Sequence, residues 1–430
     1  MKYWLIGALS LSLTACNNTT MESETRAAST SVSAPNKAYS QADYAYLAIS
    51  QPDTMSAASK RALARNYHKN EQWFGEFRHE TLFGDFAFDP NVSRRDPSKV
   101  LKVDNVFYTW YTRTTGEAVG FGTGDPNAKV FPWDQAEIWY ATSKDGYHWQ
   151  EKGRALGTGD VGQFDDRSVF TPEVLAHQGM FYLVYQAIKA PYLNRTKNTV
   201  AMAYSSSPDG PWRKLDAPIL TASDTGEWAG TQDNRFLVKS QGDFDSHKVH
   251  DPTLLFYRDK FYLYYKGERM GERKTAGGRE IRWGVAIADN PQGPYIKSAF
   301  NPITHSGHEL CVWQYQDGIA IVSSHDGPEK QTIQYAPDGI NFEVMSYLPS
   351  VPSAIGLVES LDKNAYPTAG LEWGLYHEYV IPPGKTWMSG INHIKRFSFN
   401  APNRVSMQGD SIGNTPQNNS GEFINKQSDH

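Results

Sequence analysis

Only two cysteines, Cys16 and Cys311, occur in 430 residues, and basic residues nowhere gather into a long run. The first shortage excludes a disulfide framework, so stability has to come from an apolar core. The second, together with a formal net charge of -5, removes the electrostatic footprint of a nucleic-acid binder and leaves a neutral or polar substrate as the natural partner. No His and Cys recur at the spacing of a structural zinc site. Long apolar runs are also missing except at the start, where Lys2 precedes the stretch Trp4 to Leu13. That stretch is too short for a comfortable membrane span. Followed by Leu13-Thr14-Ala15-Cys16, it reads as a lipoprotein signal (1–16) with lipid attachment at Cys16. Asn17, where an Asp would favour inner-membrane retention, suggests a periplasmic or outer-membrane lipoprotein that meets the membrane only through its lipid. An ordinary secretory signal that happens to hold a Cys is the competing reading.

Aromatic residues are what the chain has in plenty: 13% of it, with 12 Trp. Most are expected in the core, although such rings also stack on the apolar faces of sugars. Residues 17–54 are rich in Asn, Thr, Ser and Ala, a tether composition. From Ser56 to Phe77, SAASKRALARNYHKNEQWFGEF reads as a helix with Ser56 as N-cap, so 55–77 forms a helical segment. Residues 401–430 are polar and read as a disordered tail.

Between these, residues 78–400 repeat. An acid recurs at the head of an aromatic strand: Asp96 before Pro97, Glu173 after Pro172, Asp251 before Pro252, and Glu309 after His308. A second signature, an apolar strand running through an Asp-Gly or Gln-Gly turn to an aromatic, recurs at 138–149, 201–212, 284–295 and 332–342. Pairing the two predicts four four-stranded sheets over 96–150, 173–215, 251–298 and 309–345. A fifth comes from 353–399, closed by 82–89. The fold class is thus all-β, a five-bladed β-propeller behind an N-terminal helical segment. Variable repeat lengths and the insertions 114–133 and 223–250 argue against a solenoid. In a propeller those insertions wall one face.

Carboxylates at the ends of innermost strands face the central channel, where they are costly unless hydrogen-bonded or working. A single acid beside Pro is ordinarily a turn former; four at matching positions are not so easily dismissed. Two carboxyl groups across a pocket are the minimum apparatus of glycoside hydrolysis, one to protonate the leaving oxygen and one to activate water or attack.

Asp96 in SRRDP, Asp251 in KVHDP and Glu309 in GHEL resemble, in that order, the base, modulator and acid of the five-bladed furanosidase clan. The closer resemblance is to glycoside hydrolase family 117, whose N-terminal pattern Ser-x-Ala-x-x-Arg is present as Ser56, Ala58 and Arg61, and it extends from there to about Phe399. It implies an exo-acting, inverting α-1,3-L-neoagarooligosaccharide hydrolase that releases 3,6-anhydro-L-galactose from agar fragments. It also implies a homodimer made by swapping the N-terminal helix. Asp96 is then the general base and Asp251 the modulator. The clan would make Glu309 the proton donor, whereas family 117 gives that role to His308, with Glu309 as its partner or a sugar ligand. Adjacent strand residues point to opposite faces, so both reach one pocket only at a bulge or strand end, which Gly307 could permit.

Thr171, Glu173 and Gln186 resemble the family's sugar-hydroxyl contacts. Trp133, Arg113 and His250 are weaker candidates for the rim. No cofactor is required for the chemistry, but clan relatives use an axial cation, which places a divalent ion or its hydration water near His250. Two other readings stay open: an arabinanase or xylosidase-like furanosidase of the same clan, and a non-catalytic oligosaccharide-binding lipoprotein.

Overall fold

Five antiparallel sheets arranged as the blades of a propeller make up a computed structural model of the protein, which describes residues 39–64, 71–273, 281–359 and 364–401. The signal with Cys16, most of the tether and nearly all of the C-terminal tail lie outside the described residues. Blade one starts with the broken inner strand Val92–Arg95 and Leu101–Val103, followed by Val106–Thr115, Glu137–Ser143 and His148–Leu156. Blade two is Ser168–His177, Met180–Ile188, Thr199–Ser205 and Arg213–Lys214; blade three is Lys248–Tyr257, Lys260–Glu268, Arg282–Ala288 and Ile296–Lys297. Blade four is Leu310–Tyr315, Gly318–Ser323, Thr332–Ala336 and Glu343–Tyr347. Blade five takes Ser353–Leu357, Trp373–Val380 and Ile391–Asn400.

The outermost strand of blade five corrects the sequence reading. Glu76–Glu80 pairs with Ile391–Asn400 and hooks the two ends of the ring together. The segment 82–89 instead lays Phe83–Gly84 parallel to His148 and Trp149 on blade one. Phe77 explains the preference: it packs edge-on against Phe397 and Phe399 in the blade-five core, at 5.1 and 4.9 Å between ring centroids. The helix is accordingly shorter than 55–77, spanning Ala57–Ala64, with 65–70 outside the described residues and Glu76–Phe77 in the strand. The tether also ends before residue 54. A short helix, Gln41–Tyr46, leads into Leu47, Ala48 and Ile49, which are buried; Ala48 joins the core between blades two and three, and Leu47 O accepts a hydrogen bond from Arg282 Nε at 3.1 Å. Three adjacent apolar residues supply burial that the average composition of the segment hides.

Turn chemistry behaves as expected. Asp145 Oδ1 accepts hydrogen bonds from the backbone N–H groups of Tyr147 and His148, both at 2.8 Å, which pins the first Asp-Gly hairpin. Apolar clusters fill the gaps between neighbouring blades, with Trp110, Trp149 and Trp283 fully buried. Each such ring contributes roughly 4 to 6 kcal/mol of transfer free energy, taken as an upper bound. Where the inner strands of blades one and five meet, a Cβ at Gly356 would lie 2.0 Å from Ser98 O, so only glycine admits that approach.

Candidate active site

One backbone device, repeated around the ring, builds the site. In blades one, two, three and five the inner strand carries a residue in the left-handed region: Asp96 (φ 50°), Thr171 (47°), Asp251 (49°) and Ala354 (50°). In blades two, three and five the pairing register shifts there, as in a β-bulge. In the first three the next residue is Pro, which has no N–H to lose to the interrupted ladder. A β-bulge re-aims side chains, and here it turns three polar ones toward the axis.

The second strand of each blade then holds the turned residue. Thr112 Oγ1 donates to Asp96 Oδ2 at 3.1 Å, Thr171 Oγ1 donates to Gln186 Oε1 at 3.2 Å, and Lys266 Nζ lies 2.5 Å from Asp251 Oδ2. Thr112, Gln186 and Lys266 face Arg95, Phe170 and His250, so they are equivalent positions. The blade-five equivalent, His377 opposite Ser353, reaches across the ring closure: its Nδ1 accepts the Asp96 N–H at 3.1 Å. Lys266 and His377 were missed by sequence reasoning, although aligning VYQ of blade two with YYK of blade three would have exposed Lys266.

Thr171, rather than Glu173, therefore stands at the position of Asp96 and Asp251. Glu173 falls two residues further along, where it accepts the Lys99 and Val174 N–H groups at 3.2 Å each and lies 3.5 Å from Lys99 Nζ. It borders a narrow axial cavity of about 50 Å³, outside the main cavity. Arg113 borders neither; it stacks over Trp139 at 4.1 Å and approaches Glu151 at 3.5 Å. Both depart from the expected sugar contacts. The expectation for Glu173 came from the family resemblance and that for Arg113 was a rim position; the bulge turns Thr171 rather than Glu173 to the axis.

The main cavity encloses about 490 Å³ and receives Thr171, Gln186, Trp133, His250, Asp251, His308 and Glu309. Asp96 opens into the axial cavity, which shares Thr171, Asp251 and Glu309 with the main one. The insertions form the walls, as expected: Phe131 and Trp133 come from the first and Arg235 from the second. Phe131 and Trp133 stack at 4.9 Å, Trp387 from blade five lies 6.4 Å from Trp133, and Arg95 sits 4.9 Å over the Trp133 ring. Trp387, half exposed, was not read as a site residue because its surroundings carry no repeat signature.

Three acids near the axis are electrostatically unequal. Burial would raise Asp96, but Arg95, whose Nε donates to Asp96 Oδ2 at 2.7 Å, outweighs it and, with His377, holds the carboxyl well below the usual range. Asp96 Oδ1 is buried, 3.3 Å from His377 Nδ1. Asp251 is also lowered, burial being outweighed by Lys266 and His250. Glu309 goes the other way: burial, reinforced by Asp251 and Asp96, pushes it up to about 7 against Lys266 and His308.

His308 and Glu309 lie where the inner strand of blade four begins, after Gly307 at φ 94°, so both face one cavity. His308 is more open, 39% exposed against 13% for Glu309, and their closest atoms, Nε2 and Oε1, are 3.9 Å apart. His308 Nδ1 lies closer to another acid, Asp326, at 3.4 Å. Asp326 is lowered first by its hydrogen bond to His308, so it is the ionised partner that orients the ring. Sequence reasoning assigned that role to Glu309; the loop that returns Asp326 beside His308 has no signal in the repeat.

His250 Nδ1 lies 3.9 Å from Asp251, whose other oxygen is paired with Lys266. The described residues whose ligand atoms cluster within 4.8 Å are His308, His325 and Asp326, on the blade-four rim.

No protein-family model and no curated protein matches the chain. Among solved structures, a family 117 glycoside hydrolase produced by the marine bacterium Zobellia galactanivorans is similar at 32% identity, over 77% of this chain and 92% of that one, with a TM-score of 0.60. The GH43_1 enzyme from Xanthomonas citri is similar at 16% identity, over 72% and 88% of the two chains, with a TM-score of 0.45.

Proposed function

The chain belongs to glycoside hydrolase family 117, and from that premise we propose an exo-acting hydrolase that cleaves the α-1,3 bond of neoagarobiose and longer neoagarooligosaccharides, releasing 3,6-anhydro-L-galactose with inversion. The observation that carries this reading is the opposition of charge states around the axial cavity: Asp96 is held ionised by Arg95 and His377, whereas burial pushes Glu309 up to about 7. Asp96 draws the proton from a water that attacks the anomeric carbon. His308, oriented through Nδ1 by Asp326, delivers a proton from Nε2 to the leaving oxygen. Asp251 and Lys266 keep the field between them fixed, and neutral Glu309 hydrogen-bonds a sugar hydroxyl. Thr171 and Gln186 line the same cavity and reach further hydroxyls, while Trp133 and Trp387 offer an apolar face to the sugar ring. No cofactor is needed for these steps.

One observation favours a second reading, a furanosidase-type arrangement in which Glu309 is itself the acid: it keeps its proton to about 7. Incubating the purified protein with neoagarobiose, identifying the monosaccharide and reading its first-formed anomer by NMR tests the proposal. No release, or a retained anomer, would overturn it.

The proposal extends to place and assembly. The leader ending at Cys16 supports a lipid-anchored protein of the cell envelope, which metabolic labelling with a fatty acid would reveal and Cys16→Ala should abolish. Ser56, Ala58 and Arg61 support a dimer made by exchange of the N-terminal helix.

A further inference from the structure

The helix Ala57–Ala64 belongs to no blade, yet its Ser59 and Arg61 are buried against the loops that carry His308 and Asp326. Ser56 acts as its N-cap, accepting the Ser59 N–H at 3.1 Å, and donates to Pro302 O at 2.8 Å. Ser59 Oγ is 2.8 Å from His305 Nε2. Arg61 grips the other side: Nε and Nη2 donate to Glu329 at 3.0 and 3.2 Å, and Nη1 donates to Phe342 O. His305 and Glu329 are joined behind the site, because the Glu329 N–H donates to Ser306 Oγ at 2.6 Å.

Those two anchors are the roots of two short loops, 305–309 and 324–329, and the loops are laced together. The Gly307 N–H donates to Asp326 O at 2.9 Å, His308 N–H to His325 O at 2.7 Å, and Glu309 N–H to Ser324 Oγ at 2.8 Å. At this crossing Gly327 lies so close that a Cβ there would stand 2.6 Å from His305 O. His305 has no direct part in proton transfer, since burial pushes it down to about 3 and keeps it neutral. Its ring is a peg between the helix and the loop.

We infer that the N-terminal helix is a positioning element for the proton donor: Ser59 and Arg61 clamp the two loops whose crossing sets His308 against Asp326. The inference deepens the proposed function and rests on it for the donor's role. It has a consequence for assembly. Whichever copy supplies the helix, the blade-four loops are complete only when it is seated, so a chain with an unfilled groove would bind sugar but protonate poorly.

The test uses Ser59→Ala and the conservative Arg61→Lys in the full-length protein, with two readouts. Hydrogen exchange should accelerate about tenfold or more at Gly307, His308 and Glu309 in Ser59→Ala, with blade-two amides unchanged. In steady state, kcat on neoagarobiose should fall at least tenfold with little change in KM. An aryl glycoside of the same sugar, which needs little protonation, should recover most of the loss. Arg61→Lys keeps the charge but loses the fork, and should fall between wild type and Ser59→Ala. Unchanged exchange at the three amides overturns the inference. So do equal losses on both substrates, which would make the helix a general brace. A wild-type protein inert on neoagarobiose would refute the proposed substrate, while the exchange measurement still decides the role of the helix.

Discussion

Replacing Glu309 by Gln separates the two roles open to that residue and has a magnitude that follows from its surroundings. Burial, with Asp251 and Asp96 nearby, raises the carboxyl from 4.5 to about 7. The folded chain thus keeps a proton that the unfolded chain releases near 4.5. Its contribution to stability is complete below about 4.5 and is lost as pH rises through about 7. At about 1.4 kcal/mol per unit the loss amounts to ~3 kcal/mol. Gln cannot ionise, so Glu309→Gln should gain on wild type by that amount between acid and mildly alkaline solution. Urea unfolding of both proteins at several pH values measures the gap directly. Curves that run parallel across the range would refute the buried, proton-holding Glu309. The same variant decides the chemistry. If Glu309 is a neutral sugar ligand, Gln preserves kcat within about tenfold; a fall of ~10²–10⁴-fold that an activated substrate rescues would make it the acid instead.

His308→Ala should lower turnover of neoagarobiose by ~10²–10⁴-fold and leave an aryl glycoside nearly unaffected, as measured by steady-state kinetics; equal losses would remove His308 from the donor role. Asp96→Asn should abolish release of monosaccharide while calorimetry still records oligosaccharide binding, and undiminished turnover would sink the base assignment. Trp387→Ala or Trp133→Ala should raise KM up to about tenfold with kcat nearly constant, the loss of one stacking face; an unchanged KM would return those rings to a packing role. Light scattering of the chain without its leader should give the mass of a dimer, and a monomer at micromolar concentration would refute helix exchange.

Much of this molecule was legible before folding because its blades are local. Asp-Gly hairpins and aromatic strand pairs report on neighbours within about a dozen residues, and periodicity shows them directly. Asp96 and Asp251 were legible for the same reason: each stands before a proline at the head of an inner strand. Glu173 misled because sequence spacing cannot show a β-bulge, which moves Thr171 into the acid's place and sends Glu173 to Lys99. The closing strand was misplaced because Glu76–Glu80 holds one apolar residue, Phe77, and shows no alternation, whereas the segment 82–89 is rich in aromatics. Only contact with Phe397 and Phe399 selects the former.

The sequence by itself determined the class of fold, the number of blades and which acids would be gathered on the axis, since these follow from a short-range pattern repeated four times and a remainder long enough for a fifth blade. Tertiary structure alone decided how those acids differ. Whether a carboxyl is ionised depends on the charges and the loss of water around it, and these arrive from distant segments: His377 for Asp96, Lys266 for Asp251, both aspartates for Glu309. His308 gains its partner in the same way, from a loop that returns to it with Asp326, and that loop is rooted in a helix more than two hundred residues earlier in the chain.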